Sequence, residues 1–324
     1  MVCTEKERKC VLWLASQYKK ISTDFAISLA VAVVVSMANR QTTTTFRKRI
    51  RAMALEINLP EGVSIGGKRR SRWPAVMDLA QSLSGLLLVL FIWFHMLNDG
   101  SILISKDAMY FVSRFMEGRY ILGADYPILV SLAAGGILAL IVLHAWLAMR
   151  KFPERYAQYR AFDHHMASFR HEDTTLWWIQ IWTGFALFFL ASAHLVFVIT
   201  RPGDIGPYES ADRVVSGWMW PVYALLLVAV HLHAGVGIYR LAVKWGVQLG
   251  HDARASRARL KFARRAIIVF FLALGSASLA VLMQIGIAHR DRAGERYVPT
   301  WEQSAAQADK QELSSKSQPV DIKP

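Results

Sequence analysis

The sequence is poor in cysteine: among 324 residues only Cys3 and Cys10 occur, both in the polar N-terminal segment. That excludes a disulfide framework, a Cys-x-x-Cys pair and a thiolate site for zinc or an iron–sulfur cluster. A glycine-rich dinucleotide fingerprint is also missing, so nothing points to a bound flavin. Charge is scarce, 19% of residues, and unbalanced, with a formal net charge of +14. A basic face would suggest nucleic acid, but these cations sit in short runs between long uncharged stretches, so no nucleic-acid partner is expected. What is abundant is apolar: 54% of residues are hydrophobic and the mean hydropathy is +0.27. This is the composition of a membrane protein. Any metal chemistry must rest on the ten histidines.

Five windows without charge are long enough to cross a hydrocarbon core of about 30 Å, which needs roughly 20 helical residues. They run Leu79–Asn98, Tyr126–Met149, Thr174–Thr200, Val214–Tyr239 and Ala266–His289. Lipid leaves each backbone to satisfy its own hydrogen bonds, so each window is expected to be a helix, I to V. A sixth apolar run, Phe25–Asn39, has 15 uncharged residues and resembles a signal h-region or an interfacial piece.

The charges between windows orient the bundle. Lys68, Arg69, Arg70 and Arg72 precede helix I, five cations lie between II and III, and eight lie between IV and V. Only three lie between I and II and two between III and IV. The positive-inside rule therefore places the N-terminal side of helix I in the cytoplasm and the C-terminus outside, in a multi-pass protein of the cell membrane. A signal peptide cleaved after the Phe25 run would contradict this. An uncleaved extension over 1–67, or a start at Met53, is expected instead, with the bundle over 68–290 and a polar tail over 291–324.

Ionisable residues inside spans are costly and functional by default. With alternating helix direction, His95 on I and His194 on III fall near the outer face, whereas His144 on II and His231 and His233 on IV fall near the inner face. Two stacked bis-histidine haems need such an arrangement: two neutral imidazoles from facing helices at each of two depths, with the irons about 15 Å apart in depth. Residues two apart point to different helix faces, so His231 and His233 cannot share one iron, and spacing leaves the choice between them open. His289 beside Arg290 is expected at the interface without a ligand role, and His164, His165, His171 and His251 in solvated loops. Gly85, Gly135, Gly136, Gly184, Gly235 and Gly237 provide either close helix packing or room for a haem face.

The stretches HAWLAMRKFPERYAQY, HEDTTLWWIQIWTGFALFFLASAHLVF, IGPYES, SGWMWPVYALLL and GIYRLAVKWG resemble the dihaem cytochrome b subunit of succinate:quinone oxidoreductases. The likeness is to the epsilonproteobacterial type of quinol:fumarate reductase, and runs from about Arg69 to Ala288. It implies an all-α membrane protein, a five-transmembrane-helix bundle enclosing two stacked haem b groups. Position by position it assigns His95 and His194 to the distal, outer haem, and His144 and His233 to the proximal one. Haem propionates are implied at Gln81, Ser82, Trp177 and Lys244 on the proximal side and at Arg213 on the distal side. Within FVSRFMEGRY, Glu117 matches the carboxylate that accepts a proton from menaquinol. The likeness breaks at His231, where members that couple turnover to compensating proton movement carry glutamate, so the physiological direction is left open.

The resemblance further implies that electrons pass between menaquinone or menaquinol and an iron–sulfur subunit, with dicarboxylate chemistry on an FAD-containing flavoprotein subunit, in a dimer of heterotrimers embedded in membrane lipid. Two other readings remain open from the sequence. One is the dihaem cytochrome b anchor of a hydrogenase or formate dehydrogenase; the other is a haem-free membrane transporter, against which stands the lack of paired broken helices.

Overall fold

A computed structural model describes residues 72–168 and 172–316; the Phe25 run, Met53, Lys68, Arg69, Arg70 and His171 lie outside the described residues. Among the described residues the regular structure is all helical. Five long helices are α1 (Trp73–Asp99), α4 (Ile128–Met149), α6 (Glu172–Thr200), α8 (Trp220–Lys244) and α9 (Ala253–Ala288), and each is long and apolar enough to cross a membrane. Large apolar side chains point outward from them, with Leu132, Trp182 and Phe189 more than half exposed. An apolar belt of that kind is stable against lipid and not against water.

Shorter helices fill the connections: α2 (Lys106–Met116) and the single turn α3 (Arg119–Leu122) between α1 and α4, α5 (Tyr156–Ser168) between α4 and α6, α7 (Pro207–Val215) between α6 and α8, and α10 (Thr300–Lys316) at the C-terminal end. Ser105 caps α2, its Oγ accepting the Ala108 amide at 2.9 Å. Gly118 and Gly123, at φ 87° and 80°, bracket α3 in the left-handed region open to glycine.

The packing order sets the site. Helix α1 packs on α4, α8 and α9; α4 also packs on α6, and α6 on α8. Helices α1, α4, α6 and α8 therefore close a ring, and α9 lies outside it in the groove between α1 and α8. Leu86, Val89 and Trp93 of α1, Ala234 of α8 and Phe271 of α9 fill that groove. The bundle has two ends. At one, called here the Lys244 end, Asp78 pairs with Lys151 at 2.8 Å and Arg150 at 3.0 Å, and Glu172 pairs with Lys261 at 2.6 Å and Arg264 at 2.9 Å. The opposite, Arg213 end carries α2, α3, α7 and the C-terminal segment.

Three of the sequence-based boundaries shift for a physical reason. Counting uncharged residues measures the hydrocarbon slab, while a helix continues until a cap or turn stops it. Helix α9 accordingly begins at Ala253, thirteen residues before the expected Ala266, behind the Asp252 cap, whose carboxylate accepts the amides of Arg254 and Ala255 at 3.2 and 2.9 Å. Helix α1 begins at Trp73 with a proline in its first turn. The fourth window is interrupted: Val214 belongs to α7, and a turn with Trp218 at φ 54° separates it from α8.

Candidate functional site

The ring of four helices encloses a cavity of ≈ 1290 Å³ that runs from Gln81, Ser82 and Lys244 at one end to Arg213 and Ser113 at the other. Its walls are leucine, isoleucine, valine and phenylalanine side chains, interrupted by four imidazoles. His144 of α4 faces His233 of α8, ring centroids 6.5 Å apart, and His95 of α1 faces His194 of α6 at 6.2 Å.

These separations have a chemical meaning. Two imidazoles that share one metal ion between their nitrogens, at about 2 Å each, hold their centroids roughly 6 Å apart. Both pairs stand at that distance across a cavity wide enough for a flat macrocycle. The ring orientation of one pair is fixed from behind. Nδ1 of His144 lies 3.0 Å from Ser84 Oγ, whose own hydroxyl donates to the Gln81 carbonyl at 3.1 Å. Nδ1 of His233 meets the Gln180 carbonyl at 2.9 Å and Thr183 Oγ1 at 3.3 Å. With Nδ1 engaged in hydrogen bonding, the second nitrogen of each ring is left as the lone-pair donor, as in metal-ligating histidines generally. At the other pair, Nδ1 of His194 is buried with no hydrogen-bond partner among the described residues, and His95 stacks on Phe91 at 5.8 Å with Nε2 3.6 Å from Asp99.

The two pairs lie at different levels. A Cβ on Gly85 would stand 2.9 Å from Cε1 of His144, and one on Gly184 would stand 3.1 Å from Cε1 of His233. The glycines thus mark the depth of the first pair on α1 and α6. Each is ten residues before the histidine of the second pair on the same helix, Gly85 before His95 and Gly184 before His194. At 1.5 Å per residue the levels are about 15 Å apart.

Polar groups that could hold carboxylates gather at both ends. Lys244 Nζ donates to Ser82 Oγ at 3.0 Å and to the Asp78 carbonyl at 3.2 Å, while Gln81 Oε1 is buried with no hydrogen-bond partner among the described residues and Trp177 borders the same space. At the other end Arg213 of α7 donates to the Asp204 carbonyl at 2.7 Å and to Ser210 Oγ at 3.3 Å, its guanidinium 5.1 Å from the centre of the Phe197 ring.

Beyond the Arg213 end, Glu117 is completely buried at the C-terminus of α2. Met116 and Ser113 of the same helix border the cavity. Arg114 Nη1 lies 2.5 Å from Glu117 Oε2, in a geometry without hydrogen-bond alignment, and 3.4 Å from Asp125. Burial pushes the Glu117 carboxyl above the ordinary carboxylate range, and the Arg114 charge opposes the shift. Asp125 is held below its ordinary value by the hydrogen bonds from Arg119, at 2.8 and 2.6 Å.

Residues 156–274 match the family model of the succinate dehydrogenase/fumarate reductase transmembrane subunit. The fumarate reductase cytochrome b subunit of Wolinella succinogenes is 45% identical over 224 residues, covering 69% of this chain and 88% of that one. The protein of the same name from Helicobacter pylori is 44% identical over 225 residues, covering 69% and 87%. The chain belongs to the fumarate reductase cytochrome b family.

Within that family frame, the structure brings together nine of the ten residues singled out from the sequence: His95, His144, His194, His233, Gln81, Ser82, Trp177, Lys244 and Arg213 all border one cavity. Glu117 stands just outside its lining. His231 is absent from that lining and faces α9, buried and stacked on Phe271 at 5.5 Å and 8°. His289, expected at the interface, is 2% exposed, with Nδ1 3.0 Å from Asp212. The shift inward arises because α7 folds across the end of α9 and covers it. His164 and His165 are exposed, as expected, but on helix α5, and His251 is exposed in a turn.

Sequence reasoning missed Ser84, Thr183 and Gln180 behind the imidazoles, and, at the Arg213 end, Arg114, Asp125 and Tyr223, whose ring packs edge-on against His194 at 5.4 Å. Arg114 carried a readable signal, since it precedes Glu117 by three residues on a helix and shares its face. Ser84 and Gln180 carried none, because they act through contacts between helices.

Proposed function

We propose that this family member carries electrons across the membrane through two haem b groups, one held by His144 and His233 and the other by His95 and His194. The observation that carries this reading is the pair of imidazole couples, 6.5 and 6.2 Å between ring centroids, in one cavity. When bound, each haem supplies one-electron transfer, and the rest is work for the chain's own residues. Ser84 and the Gln180 carbonyl orient the imidazoles of the first couple. Lys244, Ser82, Gln81 and Trp177 bind the propionates at one end, and Arg213 binds one at the other, each cation balancing a carboxylate where neither is left buried alone.

The Lys244 end is cytoplasmic, with the C-terminus outside, in keeping with the cations around it. There the chain docks an iron–sulfur subunit and, through it, a flavoprotein that acts on the dicarboxylate, as the relatives' designation as fumarate reductase subunits suggests. At the Arg213 end menaquinol gives up its electrons and protons, and Glu117 accepts a hydroxyl proton. A buried carboxyl with a raised pKa is well matched to such a transfer near neutral pH. The five-helix unit over 68–290 carries this function, two heterotrimers pairing in the membrane.

The test is haem content. In the purified complex, replacing both His144 and His233 by alanine should lower the pyridine haemochrome from two haems per chain to one, and replacing His95 and His194 should do the same. Two haems retained in either double variant would remove the assignment of that couple.

A further inference from the structure

The residues that follow α9, as far as Trp301, are not a loose tail. They cross the Arg213 end, and Tyr297 and Pro299 are buried there. Tyr297 Oη donates to Asp107 Oδ1 at 2.7 Å, and Thr300 binds the same carboxylate twice, its amide at 3.0 Å and its hydroxyl at 2.6 Å. The rings of Tyr297 and Trp301 pack edge-on against Tyr110 at 6.0 and 6.1 Å. The start of the segment is anchored too: Asp212 of α7 accepts the Gly294 amide at 2.9 Å, and Tyr297 packs on Tyr208 of α7 at 5.0 Å.

Besides Lys106, whose ammonium lies 5.8 Å from the centre of the Tyr297 ring, the contacts on α2 follow one stripe. Asp107, Tyr110, Arg114 and Glu117 are spaced three, four and three residues apart, which places them on a single helix face. The Arg114 guanidinium lies 5.3 Å from the Tyr110 ring centre and reaches Glu117. A continuous line of contact therefore runs from Tyr297 and Trp301 through Tyr110 and Arg114 to the buried carboxyl. Helix α2 has 11 residues, and a helix that short is marginal without tertiary support. The segment supplies that support at the end of α2 remote from Glu117.

From this geometry we infer that residues 293–301 form a strap that positions α2, and that Tyr297 and Asp107 are positioning residues for the menaquinol-facing carboxyl. The inference rests on the assignment of Glu117 above. With the strap in place, Arg114, Tyr110 and the α2 backbone keep water from Glu117. Without it, α2 tilts or frays, the carboxyl hydrates, and menaquinol loses a fixed partner. The charged groups acting on Glu117 are Arg114, Arg119 and Asp125, with Arg296 of the strap; Glu302 reaches Arg119 at 3.9 Å, and the buried Glu209 of α7 acts on the same Arg114 and Arg296.

The experiment uses the intact complex with Tyr297→Ala, Tyr297→Phe, a chain ending at Arg292, and Glu117→Gln. In Tyr297→Ala and the shortened chain, kcat/KM for a naphthoquinol should fall about tenfold, mostly through KM, with haem content and spectrum unchanged. The acid limb of the pH profile should move to lower pH, because a hydrated carboxyl loses protons more readily. Tyr297→Phe keeps the ring contact and loses one hydrogen bond, so it should fall between. Unchanged KM and pH profile in both Tyr297→Ala and the shortened chain, alongside an inactive Glu117→Gln, would overturn the strap and leave the Glu117 assignment standing. Full turnover in Glu117→Gln would instead overturn that assignment. The strap would then be decided by amide exchange over 106–116: faster exchange in the shortened chain sustains it, and identical exchange overturns it.

Discussion

Gly85 of α1 sits directly against the imidazole of His144, close enough that a Cβ there would stand 2.9 Å from Cε1. Gly184 has the same relation to His233, with a looser 3.1 Å. Glycine at these two positions lets helices α1 and α6 pass close to the two rings, and substitution by alanine would force a ring or its helix to shift. On the function proposed above, Gly85→Ala should therefore perturb the haem held at the Lys244 end more than Gly184→Ala, read as lowered occupancy or a shifted low-spin resonance. Identical spectra for Gly85→Ala and the unmodified complex would contradict the contact.

Ser84 fixes His144 through Nδ1 at 3.0 Å. A hydrogen bond of this kind makes the ring a more basic ligand and favours the oxidised metal. Ser84→Ala should raise the midpoint potential of one haem by roughly 20–60 mV, the one-electron equivalent of a hydrogen bond of about 1 kcal/mol. A redox titration showing no change, or a fall, would exclude the role.

On the function proposed above, Glu117→Gln should abolish menaquinol oxidation while leaving both haems bound, because the amide cannot accept the proton. The sign of the pH dependence follows from burial, which raises the Glu117 pKa. The group works as a base only when deprotonated, so turnover should fall as pH drops through that raised value, at a pH above where an exposed glutamate titrates. A rate flat down to the ordinary carboxylate range, about 4.3, would rule this out.

Asp125 binds Arg119 through both oxygens and reaches Arg114 at 3.4 Å. Its pKa is lowered by Arg119, so the stabilisation is complete above the unfolded value and is lost as pH falls through the depressed folded value. Asp125→Asn should lower thermal stability by about 1–3 kcal/mol at neutral pH, and the difference from the unmodified protein should vanish in acid. A difference that persists at the lowest accessible pH would point to packing rather than charge.

Helical class, span number and the alternation of histidines along the chain were legible in the sequence because lipid imposes them locally: every span must be apolar, helical and about 20 residues long. The four cavity histidines stood out because an imidazole in such a segment is expensive unless it is used. His231 was just as conspicuous, and its sequence signal could not tell which way it points. Only the packing of α9 against α8 turns it onto Phe271 and out of the cavity. Ser84, Gln180 and the strap from Gly294 to Trp301 were invisible for the same reason: their partners lie 60, 53 and up to about 190 residues away. Contacts between distant segments are decided by tertiary structure, and they orient the rings and hold α2. What the sequence determined alone was which imidazoles lie within apolar membrane-spanning helices. What the fold decided was how those residues are aimed, because aim depends on neighbours the chain brings together only once it is packed.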